Sequence, residues 1–237
     1  VITQFDGYEA SLAELVDKVH PLKISRKGLN PINDLITFLN LLWCLIKVRP
    51  SIYLPFTVKP VIYGSLAAKL LNIQTIATIT GLGTVFIKKT WITKLVKKMY
   101  FLALKNVAIV FFQNSSDRDI FLDKNLIKPN QAFLIPGSGV DTKKFANLES
   151  QSQFPEKVTF ILIARLLWDK GVGEFINAAR KIKIYYPEVK FQLLGALGIE
   201  NKTSILKDEV KVWHAEGLIE YLGETEDVRP FIKRASC

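Results

Sequence analysis

A chain of 237 residues is long enough for one large or two modest domains. Apolar residues make up 49% and charged residues 23%, which excludes an intrinsically disordered chain. The net charge of +10 is unevenly spread: residues 1–150 hold 19 Lys/Arg against 10 Asp/Glu, residues 151–237 hold 13 against 12. The first half is therefore built to face something anionic, either nucleic acid or a lipid surface.

Cys44 and Cys237 stand far apart with no metal-type spacing, which fits a reduced, cytosolic protein. The first residues lack the basic start and apolar core of a secretory leader. Val1 to Thr3 reads as a strand remnant, and Leu12, Leu15, Val16 and Val19 mark a helix from Tyr8 to Val19. A short strand is expected at Leu22 to Ser25. Asn30-Pro31 is a helix start, with a cap residue followed by Pro at the first helical position. Ile32, Leu35, Ile36, Leu39, Leu42, Trp43 and Ile46 then share one face, and Arg49-Pro50 ends the helix. Its apolar run is shorter than the ~20 residues of a membrane span, so a buried core helix is expected.

Ser51 to Phe56 is a predicted strand, Val61 to Leu71 a helix, and Gln74 to Ile79 a buried strand. Thr80-Gly81-Leu82-Gly83-Thr84 follows as a Gly-rich loop. It is not a nicotinamide site: Phe86 replaces the third Gly, and no acid follows about 20 residues on. The predicted helix Trp91 to Lys105 has Trp91, Leu95, Met99 and Leu102 on one face and Lys94, Lys97, Lys98 and Lys105 on the other, with Lys88 and Lys89 just before it. Tyr100, Phe101 and Leu104 add apolar surface beyond one core face. The pattern is that of a basic amphipathic helix lying on an anionic membrane, against the plainer reading of a solvated face.

A strand at Val107 to Phe112, a helix capped by Ser115 or Ser116, and a strand at Ala132 to Ile135 complete the first half. The polar stretch up to Pro155 marks a boundary, so the domains are taken as 1–150 and 151–237. In the second half a strand begins at Val158 and breaks into a turn carrying Arg165, Asp169 and Lys170. Gly171 and the helix Val172 to Tyr185 follow. Two cations just ahead of a helix N-terminus can hold a phosphate, because backbone donors and the helix dipole favour the anion. Strands at Val189–Leu194 and Leu218–Leu222, a helix at Ser204–Glu216 and a last helix from Pro230 to the end follow. Strands alternating with helices predict an α/β protein of two Rossmann-like parallel-sheet domains, with ligands at the carboxyl ends of the strands. His20 and His214 are isolated, and no metal cluster is expected.

Ala164-Arg165-Leu166-Leu167-Trp168-Asp169-Lys170-Gly171 resembles the G-R-L-x-x-x-K-G motif of retaining family 4 glycosyltransferases. Ile135 to Phe145 resembles their interdomain segment, with the Gly-Ser-Gly variant of bacterial capsule and O-antigen members. Phe56 to Ser65, Ala77 to Phe86, Glu220 to Gly223 and Asp227 to Pro230 are similar to the same subgroup, in the same order. The resemblance implies the two-domain GT-B fold, a first domain for the acceptor and a second for the nucleotide sugar. It implies that Arg165 and Lys170 clasp the donor diphosphate and stabilise the leaving group, without a metal or other cofactor. Gly195, Leu222 and Gly223 would approach the nucleotide of the donor, taken as UDP-linked. Lys59, Thr80 and Gly81 would face the acceptor, a lipid-linked glycan on an undecaprenyl diphosphate carrier. The expected place is the cytoplasmic face of the plasma membrane, reached through Lys88, Lys89, Lys94, Lys97 and Lys98.

The family's first strand with its Gly-rich loop and its E-x7-E segment have no counterpart in the chain. Both domains are accordingly expected to be incomplete, and an inactive fragment is one alternative. A nucleotide-sugar 2-epimerase of the same architecture would need acid/base carboxylates and histidines that two isolated histidines do not supply. A non-catalytic basic protein binding membrane or nucleic acid would explain the charge but not the Arg165/Lys170 turn; no nucleic acid is expected as partner.

Overall fold

A computed structural model describes residues 1–3, 9–22, 24, 30–82, 86, 91–146, 158–198 and 203–237. They form two compact units, Val1–Gly139 and Val140–Cys237. The observed division falls earlier than residue 150 because Asp141 caps the short helix α6 (Thr142–Phe145), and Arg229 Nη1 donates to the Lys144 carbonyl at 3.4 Å. The polar stretch 147–157 lies outside the described residues.

The first unit opens with β1 (Ile2–Thr3), α1 (Glu9–Ala13) and β2 (His20–Pro21), and β1 pairs with β2 in parallel. The first helix is shorter than its periodicity predicts, and the strand begins ahead of Leu22. A second parallel sheet has the order β3 (Ile52–Tyr53), β4 (Gln74–Ile79), β5 (Ile109–Phe112), β6 (Ala132–Leu134). Each connection moves one strand along in the same direction, so right-handed crossovers put the connecting helices on one side of the sheet. These are a π-helical turn (Pro60–Gly64) running into α3 (Ser65–Leu70), then α4 (Trp91–Leu104), then α5 (Ser115–Asp123). The long helix α2 (Pro31–Val48) packs beside the Pro60–Leu70 segment, with α4 on that segment as well.

The ends of α2 are those its sequence requires. The Asn30 side chain accepts from the Ile32 and Asn33 amides, Pro31 opens the helix, and Arg49 closes it in the left-handed conformation. Its orientation is the reverse of the expectation. The buried face is Asp34, Thr37, Leu41, Cys44 and Leu45, whereas Ile32, Leu35, Ile36, Leu39, Trp43 and Ile46 are 47–71% exposed. The inner face is fixed by an ion pair: Lys59 Nζ, in the loop after β3, lies 2.8 Å from Asp34 Oδ1 with both side chains largely buried. The same correction holds for α4, which buries Thr93, Val96, Tyr100, Ala103 and Leu104. Tyr100 and Leu104 thus belong to the core, while Trp91, Leu95, Phe101 and Leu102 are exposed.

Between sheet and helices lies a core centred on Tyr100, Phe112 and Phe121, which meet edge to face at 5.0–5.2 Å between ring centroids. Full burial of each such side chain is worth about 2–3 kcal/mol. The Gln131 side chain donates to the Leu104 and Val107 carbonyls, satisfying acceptors at the end of α4. Asn114, not Ser115 or Ser116, caps α5.

The second unit is a three-stranded parallel sheet of order β7 (Thr159–Ile163), β8 (Lys190–Leu194), β9 (Glu220–Tyr221). Helices α7 (Val172–Tyr185) and α8 (Lys207–Ala215) cover it over a core of Leu166, Val172, Ile176, Phe191, Leu193 and Trp213. The last helix, α9 (Arg229–Arg234), does not reach Cys237. Residues Ser236 and Cys237 instead run along β7: the Ile161 amide donates to the Cys237 carbonyl, and the Ser236 amide to that of Thr159.

Asp34→Ala leaves the Lys59 ammonium partly buried without its counter-charge and should destabilise the first unit by about 3 kcal/mol in denaturant unfolding. The double variant Asp34→Leu, Lys59→Met should recover most of that loss.

Candidate donor-nucleotide site

A cleft opens at the carboxyl edge of the second sheet, where sheet topology favours ligands. It is lined by Ile163, Ala164 and Arg165 after β7, Leu194, Gly195 and Ala196 after β8, and Glu224, Thr225 and Val228 beyond β9. Its volume is about 230 Å³, below the range that encloses a whole drug-sized ligand.

The close approach of β7 and β8 at this edge depends on Gly195. Its φ is +145°, and a Cβ there would stand 2.0 Å from the Ala164 carbonyl oxygen. Its amide donates to the Gly223 carbonyl at 2.7 Å, and its carbonyl accepts from the Tyr221 hydroxyl at 3.0 Å. Gly223 itself has φ +82°, and the Leu222 amide donates to Leu193. Gly195 thus lines the cleft, while Leu222 and Gly223 buttress it from behind.

Arg165 is exposed on the cleft wall. Leu166 and Leu167, fully buried, anchor the chain beneath it, and the Trp168 amide donates to the Thr203 carbonyl. Residues Trp168–Lys170 form a 3₁₀ turn, closed by Gly171 at φ +79°, from which α7 starts. The Trp168 ring covers Gly173, where a Cβ would stand 2.9 Å from it, and meets Trp213 edge to face at 6.0 Å. Lys170 is exposed on this turn and does not line the cleft. A hydrogen bond from the Thr203 hydroxyl first, and less strongly the charges of Lys170 and Arg165, hold the Asp169 carboxyl below the usual range. The three side chains leave one net positive charge at the head of α7.

Glu224 and Thr225 were not singled out from the sequence; Val228 was, as part of the Asp227-Val228-Arg229-Pro230 run that follows them. Arg229 grips Asp227 with two side-chain hydrogen bonds of 2.8 Å, and this guanidinium pulls the Asp227 carboxyl down to about 2. Burial first, then the Glu224 charge, raises the Tyr221 phenol.

In the first unit, Lys59 and the Thr80–Gly81 pair follow β3 and β4 at the carboxyl edge of their sheet. Lys59 is already committed to Asp34. Thr80 is exposed, and nothing lies within 4 Å of where a Gly81 Cβ would be. Gly83 and Thr84 lie outside the described residues, as do Lys88 and Lys89. Among the described residues no three His, Cys, Asp or Glu side chains are grouped as a metal ion requires.

Two parallel-sheet units in this order have the GT-B fold. Residues 1–114 match the family described as glycosyl transferase 4-like, in agreement with the motif resemblance. The chain is 30% identical over 247 aligned positions to the N,N'-diacetylbacillosaminyl-diphospho-undecaprenol alpha-1,3-N-acetylgalactosaminyltransferase of Campylobacter jejuni, covering 96% of this chain and 62% of that protein. Among solved structures, Anabaena HepE in complex with UDP and glucose superposes with a TM-score of 0.67 at 15% identity, over 99% of this chain and 64% of that one. A glycosyltransferase from Rickettsia africae gives 0.65 at 15% identity, over 99% and 62%. The chain therefore spans less than two thirds of the length of these relatives.

Two outcomes follow from the site's geometry. Gly195→Ala should lower the stability of the second unit by about 3 kcal/mol, since the methyl meets backbone and the φ is unsuited to it. The Asp227–Arg229 pair should persist through neutral pH and be lost only as pH falls from 3.8 toward about 2. A carboxyl ¹³C titration of Asp227 reads this directly, and Arg229→Gln should return the midpoint toward 3.8.

Proposed function

We propose that the chain forms the acceptor domain and part of the donor domain of a glycosyltransferase. The enzyme moves a sugar from a nucleoside diphosphate, UDP in the first instance, to a lipid-linked glycan of the undecaprenyl diphosphate type. The observation that carries the reading is Arg165 on the cleft wall at the carboxyl edge of β7 and β8, with Lys170 at the head of α7. As the bond between the sugar and the diphosphate breaks, negative charge grows on the leaving oxygen. A guanidinium fixed on the cleft wall stabilises that charge more than the ground state, which is what lowers the barrier. In this reading the cations replace a metal, and the anomeric configuration is retained, as the family resemblance implies.

Gly195 lets the nucleotide approach the backbone between the strand ends, with Leu222 and Gly223 supporting that edge. Thr80 and Gly81, at the corresponding edge of the first sheet, are assigned to the acceptor, and Lys59, paired with Asp34, supports that edge. The name of the Campylobacter relative supports both the reaction class and a polyprenyl-diphosphate-linked acceptor. The setting is the synthesis of bacterial surface polysaccharide, of the capsule or O-antigen kind, at the cytoplasmic face of the membrane. Lys94, Lys97 and Lys98 attract the first unit to anionic lipid there.

Calorimetric titration with UDP tests the donor assignment. Arg165→Ala should weaken binding about 10–100-fold and Lys170→Ala about tenfold, as expected for charge-assisted hydrogen bonds to phosphate. Unchanged affinity in the double variant would remove Arg165 and Lys170 from the site.

A further inference from the structure

We infer that Glu224 reads the ribose in the donor cleft: its carboxylate accepts hydrogen bonds from both hydroxyls of the ribose 2′,3′-diol and so selects ribonucleoside over 2′-deoxyribonucleoside diphosphates. This rests on the donor-cleft reading proposed above and adds to it a direction for the nucleotide and a class of donor.

The two sides of the cleft carry opposite charge. β8 lies between β7 and β9 in the parallel sheet, so the residues after β7 and those after β9 flank Leu194, Gly195 and Ala196 from either side. At about 4.8 Å per strand the two sides stand roughly 10 Å apart. Arg165 is the cation on the β7 side, and Glu224, on the β9 side, is the one acid among the described residues that line the cleft. A guanidinium attracts phosphate and a carboxylate repels it. A nucleoside diphosphate therefore lies with its diphosphate toward β7 and its nucleoside toward β9.

The backbone of Glu224 is fixed before and after it. Gly223, at φ +82°, offers its carbonyl to the Gly195 amide at 2.7 Å. The Thr225 hydroxyl donates to the Asp227 carbonyl at 3.1 Å and accepts from the Asp227 amide at 3.2 Å. The Asp227 carboxylate is in turn held by Arg229. Thr225 and Asp227 are thus engaged within their own loop. Glu224 is exposed, and among the described residues no hydrogen bond or ion pair engages its carboxylate. The loop presents a positioned acceptor to the cleft and supplies it with no donor.

An ionised carboxylate only accepts hydrogen bonds. The nucleoside of UDP offers two kinds of donor, the imide N–H of the base and the vicinal hydroxyls of the ribose. The imide N–H stands between two carbonyl oxygens, which a carboxylate repels. The diol has two O–H groups on adjacent carbons, one for each carboxylate oxygen, and hydrogen bonds to an ionised acceptor are the strong ones. A 2′-deoxyribose has lost one of the two donors.

Calorimetric titration of the full chain with UDP, 2′-deoxy-UDP, N3-methyl-UDP and inorganic pyrophosphate tests this. The unmodified protein should bind UDP about tenfold more tightly than 2′-deoxy-UDP, and N3-methyl-UDP as tightly as UDP. Glu224→Ala should weaken UDP about 10–100-fold and bring it level with 2′-deoxy-UDP. It should leave pyrophosphate binding unchanged or tighter, since a like charge has gone. Equal affinity of the unmodified protein for UDP and 2′-deoxy-UDP overturns the inference, as does UDP affinity indifferent to Glu224→Ala. Pyrophosphate binding weakened by Glu224→Ala would show a damaged cleft instead of a lost contact and also overturns it. An affinity lost on N3-methylation and kept on 2′-deoxygenation would move Glu224 to the base, with the same result. Pyrophosphate and UDP binding indifferent to Arg165→Ala would sink the donor-site reading itself, so the two failures are distinguishable.

Discussion

The carboxyl ends of β7 and β8 converge because residue 195 has no side chain. With a Cβ in place the Ala164 carbonyl would have to move, and with it Arg165, the next residue. The cleft, the Gly195–Gly223 backbone hydrogen bond and the Tyr221 hydroxyl contact all hang on that approach. Leu166 and Leu167 then drive the chain into the core directly after Arg165. The backbone of Arg165 is thus placed on the rim by two buried residues behind it and an open backbone beside it. In the proposed reading, a cation so placed meets the charge that develops on the leaving group.

The first unit depends on an interaction of the opposite kind. Asp34 and Lys59 are charges withdrawn from water to join α2 to the loop after β3. A pair of this sort adds little net stability over apolar residues of similar volume, but it leaves one orientation of the helix far better than the others. With the acid turned inward, the apolar stripe of α2 must face out. The same pair neutralises the only acid in a long basic stretch, so the exposed layer becomes uniformly cationic as well as apolar. Fold and surface chemistry are in this sense one decision.

The strand and helix order was legible because each element carries its own period and its own stops: Asn30-Pro31, Gly171, the β-branched run before Arg165. The donor turn was legible for the same reason, since all its residues lie within one loop. Glu224 and Thr225 were not, because parallel register brings them to Arg165 from far along the chain. Periodicity also misjudged α2 and α4. It finds an apolar stripe but does not say whether that stripe faces the core; on α2 the choice rests on a partner for Asp34 that only the fold supplies. On α4, Tyr100 and Leu104 were read as surplus surface and are among its most buried residues.

The central claim is that a nucleoside diphosphate sits in the cleft bearing Arg165. Backbone hydrogen exchange with and without UDP tests this most directly, because it needs no substitution. The account predicts protection confined to the segments around Ala164–Gly171, Gly195–Gly198 and Leu222–Val228. Protection elsewhere, with these three segments unchanged, would contradict it.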